Sequence, residues 1–181
     1  MINGKNINLR AVEPHDLELL YKWENNTDIW PVSGTLTPFS KKVMKEFIDN
    51  AREDIYTAKQ LRLAIDLNMI GDPENKTIGY IDLYDFDPPN RKAGVGILIG
   101  DEPSRRKGHG LEALNLLCHY AFSILQLHQL FCNIHANNEP SLRLFESAGF
   151  LCNAELKDWA FNDGKWTDVK VLQKINNSPN H

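Results

Sequence analysis

The stretch Arg105-Arg106-Lys107-Gly108-His109-Gly110 lies between an apolar run, Val95 to Gly100, and a segment of helical spacing that starts near Leu111. A strand, a short basic loop with two glycines and a helix N-terminus together make a cradle for a diphosphate. The first turn of a helix carries N–H groups with no internal partner, and its dipole favours an anion there. Gly108 and Gly110 remove the Cβ atoms that would hold phosphate oxygens away from those groups. Arg105, Arg106 and Lys107 bring positive charge to the same point. A dinucleotide-binding loop does not fit, because Gly94, Gly96 and Gly100 lie within the strand and lack the G-x-G-x-x-G spacing. A Walker-type loop does not fit either, since no Gly-Lys-Ser/Thr sequence is present. The ligand expected here carries phosphates but meets no nucleotide-hydrolysis machinery.

The elements that must position this loop follow from periodicity and punctuation. Ile7 to Val12 alternates as a first strand, and Pro14, His15 and Asp16 open a helix with Leu17, Leu20 and Tyr21 on one face, ending near Asn25. Residues 27–39 read as a loop. Ser40 is the expected N-cap of a second helix whose apolar face is Val43, Met44, Phe47 and Ile48. Three strands are then predicted: Leu61 to Leu67, ending in a turn at Gly71-Asp72-Pro73; Thr77 to Phe86, ending at Asp87-Pro88-Pro89-Asn90; and Ala93 to Gly100. The helix from Leu111 buries Leu114, Leu117, Cys118, Ala121, Phe122 and Leu125. A strand through Leu130, Cys132 and Ile134 leads to a helix with Asn138 as N-cap, Pro140 in the first turn and Gly149 past the end. Phe150 to Phe161 and Trp166 to Ile175 form a hairpin around Asn162-Asp163-Gly164, and residues 176–181 form a disordered tail. The order is β-α-α-β-β-β-α-β-α-β-β, an α/β domain of the α+β type over residues 1–175, built on a largely antiparallel sheet.

Composition narrows the function classes. With 181 residues, 42% hydrophobic and 24% charged, the chain has the make-up of a globular domain able to bury a core. A net charge of -4 argues against a nucleic-acid partner bound through the overall field. No apolar run approaches the ~20 residues of a membrane span, and no signal-peptide pattern is seen, so a cytoplasmic protein is expected. Cys118, Cys132 and Cys152 sit in apolar segments and read as reduced core residues. The histidines show no metal-ligand spacing, so no metal is expected.

From Ala93 onward the chain resembles the GNAT family of acyl-CoA-dependent N-acetyltransferases. The family fingerprint R/Q-x-x-G-x-G/A is matched by Arg105, Gly108 and Gly110. Asn138 to Phe150, with Ser141, Leu142, Phe145, Glu146 and Gly149, looks like the family's N-x-x-A/S-I-x-x-Y-E-x-x-G-F segment. Gly164-Lys165-Trp166-Thr167-Asp168 is similar to the branch containing ribosomal-protein N-terminal and spermidine acetyltransferases. The resemblance implies a mixed sheet of about six or seven strands flanked by four helices, with splayed central parallel strands. It implies acetyl-CoA as co-substrate. The pyrophosphate would lie on Arg105, Arg106, Lys107, Gly108, His109 and Gly110, and the pantetheine arm would pair with Leu98, Ile99 and Gly100. Asn138 matches a coenzyme A contact, although the N-cap role already accounts for it. Strand glycines at 94, 96 and 100 fit a bulge and a close ligand approach.

Phe145 departs from the pattern, because relatives place there a tyrosine that protonates the departing thiolate. Ser141 is the second candidate for that task, with a helix-start hydroxyl as its plainer role. The proton of the attacking amine needs a base, for which Glu102, Asp82, Tyr84 and His135 are candidates. Trp23, Trp30, Trp159 and Trp166, with Glu24 and Asp28, are candidates to line the acceptor cleft. The implied activity is acetyl transfer from acetyl-CoA to a primary amine: a protein N-terminus, a polyamine or a small cationic amine. The alternative is a coenzyme A-binding sensor or partner protein without turnover, and a homodimer through the terminal hairpin is compatible with the sequence.

Overall fold

The alternation at Ile7 and Leu9, and at Leu63 and Ile65, sends one face of two neighbouring strands into the core, where all four side chains are buried. The structure, a computed structural model, describes residues 1–51, 53–68, 76–162 and 164–177. Among them a single sheet of eight strands forms: β1 (Ile2–Asn3), β2 (Ile7–Ala11), β3 (Leu61–Leu67), β4 (Thr77–Asp87), β5 (Lys92–Ile99), β6 (Gln129–His135), β7 (Leu151–Asn162) and β8 (Lys165–Ile175). Their order is β1-β2-β3-β4-β5-β6-β8-β7. Every neighbouring pair is antiparallel except β5 and β6, which are parallel. The fold is the expected mixed, mostly antiparallel one, with one strand more than the largest number expected.

Helices cover both faces. On one side α5 (His109–Ser123) presents Ala113, Leu114, Leu117, Cys118 and Ala121 as one buried stripe, and α6 (Glu139–Ser147) adds Leu142 and Phe145. These join Ile81, Leu83, Val95, Leu130 and Cys132 in the main core. On the other side α1 (Leu17–Glu24) and α3 (Lys41–Asn50) pack Leu20, Trp23, Met44 and Ile48 over Ala64 and Tyr80. The expected caps form: Ser40 accepts from the Val43 N–H at 3.2 Å, and Asn138 accepts from the Ser141 N–H at 3.3 Å. Gly149 ends α6 at φ 86°.

Several expectations need correction. α5 begins at His109, not Leu111, and stops at Ser123, so Leu125 lies beyond it. The two-residue β1 and the one-turn helices α2 (Trp30–Ser33) and α4 (Ile55–Ala58) carry too few residues to show a period. Asp54 nevertheless caps α4, accepting from Tyr56 and Thr57 N–H groups. Cys152 is exposed, because β7 is the edge of the sheet; only Cys118 and Cys132 are core thiols. Burial pushes those two up, to about 11 and about 12. The Gly71-Asp72-Pro73 turn, Asp163 and residues 178–181 lie outside the described residues. Among the described residues, no helix is long and apolar enough to cross a membrane.

One polar network fastens the first strand to the rest. Arg10 donates to Asp66 Oδ2 at 2.7 Å and to both carboxylate oxygens of Asp16, at 2.7 and 2.8 Å. Nη2, which donates to Asp16 Oδ1, also reaches Thr77 Oγ1 at 3.0 Å. Burial alone would raise the Asp16 carboxyl, yet the Arg10 bonds and the Glu13 N–H hold it below the ordinary carboxylate value. A depressed carboxyl stabilises the fold fully above its unfolded-state value and loses that contribution as pH falls through the folded one. Asp16→Asn should therefore lower the unfolding free energy by about 3–5 kcal/mol at pH 7, since it leaves the Arg10 charge underpaired. Urea denaturation checks this, and the difference between wild type and variant should shrink below about pH 4.

Candidate functional site

Parallel pairing of β5 with β6 is brief: Lys92 with Gln129, Ala93 with Leu130 and Gly94 with Phe131. Beyond Gly94, β5 stays paired with β4 as far as Ile99, and β6 stays paired with β8 as far as His135. The two strands therefore diverge, leaving a cleft of about 120 Å³. Val95, Gly96 and Ile97 form one wall, residues 132–135 the other, and Asn138, Ser141 and Phe145 of α6 the floor. The expected splay is present. The cleft is lined by Val95 to Ile97, however, and not by Leu98, Ile99 and Gly100, the predicted pairing partners of a pantetheine arm. The Ile99 carbonyl accepts from Arg105 Nε at 2.8 Å, and Gly100 lines a different cavity.

The basic loop sits beside this cleft. A Cβ on Gly110 would lie 3.8 Å from the Ile97 side chain and 3.4 Å from Leu144 of α6. Gly108 is the N-cap of α5 at φ 86°, makes no side-chain cap, and would have nothing within 4 Å of an added Cβ. The first N–H groups of the fifteen-residue α5 are thus reached from an open side. Arg106 also has a positive φ, 60°. His109 Nδ1 is buried with no hydrogen-bond partner in the structure. The Arg105 side chain is committed to the Ile99 carbonyl and, at 3.8 Å, to Glu102, so it shapes the loop. Arg106 and Lys107 remain as its exposed cations.

The candidate catalytic residues are not brought together. Ser141 lines the cleft. Glu102 lies instead on a larger cavity of about 1170 Å³, with Arg10, Trp23 and Gly100. That cavity's charges are largely matched already, Arg10 with Asp16 and Asp66, and Lys76 with Asp101 at 2.8 Å. Phe145 is buried edge-on to Phe150, centroids 5.1 Å apart, and turns no hydroxyl toward the cleft. His135 lines the cleft with its Nδ1 3.4 Å from Thr167 Oγ1.

On the opposite face of the sheet, Asp82 Oδ1 accepts from Arg62 Nε at 2.6 Å, and Arg62 Nη1 reaches Glu24 Oε1 at 2.5 Å. The Arg62 guanidinium lies over the Phe47 ring, 5.0 Å from its centroid. Burial pushes the Asp82 carboxyl upward while Arg62 pulls against it. Burial also pushes the Tyr84 hydroxyl up to about 12. Sequence reasoning missed Arg62; the available signal was a charge on the same strand face as the fully buried Ala64.

The four tryptophans do not form one cleft. Trp23 is core, edge-on to Tyr80, and Trp30 Nε1 donates to the Glu24 carbonyl. Trp159 and Trp166 are exposed on the terminal hairpin. Two of the three glycines, Gly94 and Gly100, are likewise explained by rings. A Cβ on Gly94 would lie 2.3 Å from Tyr84, and one on Gly100 would lie 2.3 Å from Trp23. The bulge is on β4, between Tyr84 and Asp87, not on β5.

A model of the acetyltransferase (GNAT) domain matches residues 6–151. The chain is 26% identical over 166 residues to spermidine N(1)-acetyltransferase of Vibrio cholerae, covering 92% of this chain and 91% of that one. Against the Escherichia coli K12 protein of the same name it is 22% identical over 169 residues, covering 93% and 86%. The fold matches a crystal structure of the Vibrio cholerae spermidine N-acetyltransferase in complex with CoA and spermine. The TM-score is 0.82 at 24% identity, over 94% of this chain and 95% of the other.

Because the Trp23 ring occupies the place of a Gly100 side chain, Gly100→Ala should lower stability by about 1–3 kcal/mol, as overpacking does. Thermal melting should show the loss.

Proposed function

This chain belongs to the acetyltransferase (GNAT) domain family and is an acyltransferase; from that premise we propose that it moves an acetyl group from acetyl-CoA to a primary amine of a small cationic acceptor. The observation that carries the reading is the adjacency of an uncapped helix start at Gly108 to a cleft between strands that part after Gly94. The fit to coenzyme A rests on that geometry. The N-cap of α5 has open space where a side chain would stand, its first N–H groups have no cap, and Arg106 and Lys107 flank them. A pyrophosphate needs such donors and such clearance. The relatives' names favour a polyamine over a protein N-terminus. They do not favour a binding protein without turnover.

When bound, the co-substrate supplies an acyl group already activated as a thioester. The chain's contribution is chiefly to hold and orient. Backbone N–H groups from Arg106 to Gly110 would hold the phosphates, the Arg105 N–H being spent on the Glu102 carbonyl at 3.0 Å, and Val95, Gly96 and Ile97 would offer an edge to the arm. Asn138, its Oδ1 spent on the Ser141 N–H, keeps the start of α6 at the cleft floor. Positioning of this kind is worth up to ~7–11 kcal/mol of barrier. Phe145 supplies no proton to the departing thiolate, whose thiol pKa of about 8.5 makes it a tolerable leaving group. Ser141 is the hydroxyl nearest that task by sequence and by its place on the floor.

Thiol release from acetyl-CoA, followed with spermidine, other amines and an N-terminal peptide, tests the reading. Amine-dependent release is expected; tight binding with no release for any amine would sink it. Gly108→Val forces a branched side chain to φ 86°, which costs on the order of 1–3 kcal/mol. Acetyl-CoA affinity should fall about tenfold or more by calorimetry. Phe145→Tyr places a hydroxyl at the cleft floor and should raise kcat, with a new limb in its pH profile, by at most the about 10²–10⁴-fold that a positioned acid contributes.

A further inference from the structure

Gly94, Gly96 and Gly100 point the same way from β5, because side-chain positions two and four apart share a face of a strand. That face is the one carrying Tyr80, Asp82 and Tyr84, opposite α5. Two of the three glycines are filled from above: the Tyr84 ring would meet a Cβ on Gly94 at 2.3 Å, and the Trp23 ring one on Gly100 at 2.3 Å. Gly96 between them is different. A methyl there would lie 3.8 Å from Asp82 Oδ2 and 4.0 Å from Asp82 Cβ and Tyr84 Cε1, all ordinary contacts. Room for one small group therefore remains over Gly96, walled by a carboxylate and an aromatic edge. Gly96 is also a wall residue of the splayed cleft. It is the point where the cleft and the opposite face are separated by a single peptide without a side chain.

The wall facing this space is suited to an amine. Arg62 binds Asp82 mainly through Oδ1, at 2.6 Å, and its second contact, to Oδ2, is 3.3 Å long. Oδ2 is the oxygen nearest Gly96. The arginine thus orients the carboxylate while its more loosely held oxygen is turned toward the gap.

We propose that the space over Gly96, between Asp82 Oδ2 and the Tyr84 ring edge, seats the reacting amino group of an unbranched primary alkylamine, with Arg62 as the positioning residue for Asp82. The inference rests on the acetyl-transfer reading and narrows its acceptor. A nitrogen on a CH₂ group brings no further branch toward Asp82 Oδ2 and Tyr84 Cε1, which lie 3.8 and 4.0 Å from a Cβ placed at Gly96. A nitrogen on a substituted carbon, such as the α-amino group of a peptide, brings a branch against Tyr84 or Asp82.

The test compares wild type, Gly96→Ala and Asp82→Asn. The probes are spermidine and a short peptide whose only amine is its N-terminal alanine. Wild type should acetylate spermidine and leave the peptide essentially untouched. Gly96→Ala fills the space without a clash, so its melting temperature should stay near wild type. Its kcat/KM for spermidine should fall about 10²-fold, the scale of a 1 Å misplacement of a reactant. Asp82→Asn should raise KM for spermidine more than it lowers kcat, with acetyl-CoA affinity unchanged. Wild-type kcat/KM in Gly96→Ala, or equal turnover of the peptide and spermidine, overturns the proposal while leaving acetyl transfer intact. An Asp82→Asn variant whose KM is unaltered overturns the role of the carboxylate. A wild-type protein that releases thiol with no amine overturns the transferase reading, and this one with it.

Discussion

Everything at the site depends on two parallel strands that pair for only three residues. β5 and β6 share Lys92 to Gly94 with Gln129 to Phe131, and each then follows its other neighbour, β5 along β4 and β6 along β8. A backbone edge left unpaired inside a sheet is normally unfavourable, because its N–H and C=O groups lose their partners. Here the opening is stable because the outer edge of each strand is held by an antiparallel partner over most of its length. The main core beneath, with Leu114, Leu117, Leu130 and Cys132, fixes both strands to α5. An extended arm lying in the gap can satisfy the groups left on both edges, as a further strand would.

The helices are arranged around that opening, and the main core seats both beside it. The start of α5 meets it at Gly110, close to Ile97, and the start of α6 meets it at Asn138 and Ser141. Two helix N-termini thus converge on one gap, one uncapped at Gly108 and one capped by Asn138. The uncapped end has donors to offer an anion. The capped end has already spent its side-chain acceptor, and so acts as a rigid floor. Glu112 adds rigidity from the far side, since its carboxylate accepts from the Lys5 and Asn6 N–H groups at 2.6 and 2.8 Å and ties α5 to the N-terminal strands.

What was legible in the sequence was local. Gly108, Gly110, Asn138, Pro140 and Gly149 announce helix ends through backbone demands met within a few residues, and the long apolar stripes announce α5 and α6. Strand order was not local, yet the parallel β5–β6 pair followed from family resemblance. The ionic clusters were illegible for a physical reason. Arg10 meets Asp66 and Thr77, and Arg62 meets Asp82 and Glu24, across separations of 20 to 67 residues that no periodicity encodes. The glycines at 94 and 100 misled for the same reason. A glycine needed by a distant ring and a glycine needed by a bulge look identical in one dimension. Cys152 was misplaced because an edge strand exposes residues that an inner strand of the same composition would bury.

The sheet divides the side chains around the site between its two faces. The phosphate cradle, the cleft floor and Phe145 lie on the α5 and α6 side, while Arg62, Asp82 and Tyr84 lie on the other. On the acetyl-transfer reading proposed above, a leaving thiolate would depart on the first side, where its intrinsic acidity would let it go without a dedicated acid. An amine seated over Gly96, as proposed above, would lose its proton on the second side, where its own pKa, near 10.4 for an alkylammonium such as lysine, would make help necessary. The polar groups that survive in the interior stand on the side of the harder proton transfer. Buried charge is costly to keep unless it is paired, and Arg62 is paired on both sides, with Asp82 at 2.6 Å and Glu24 at 2.5 Å.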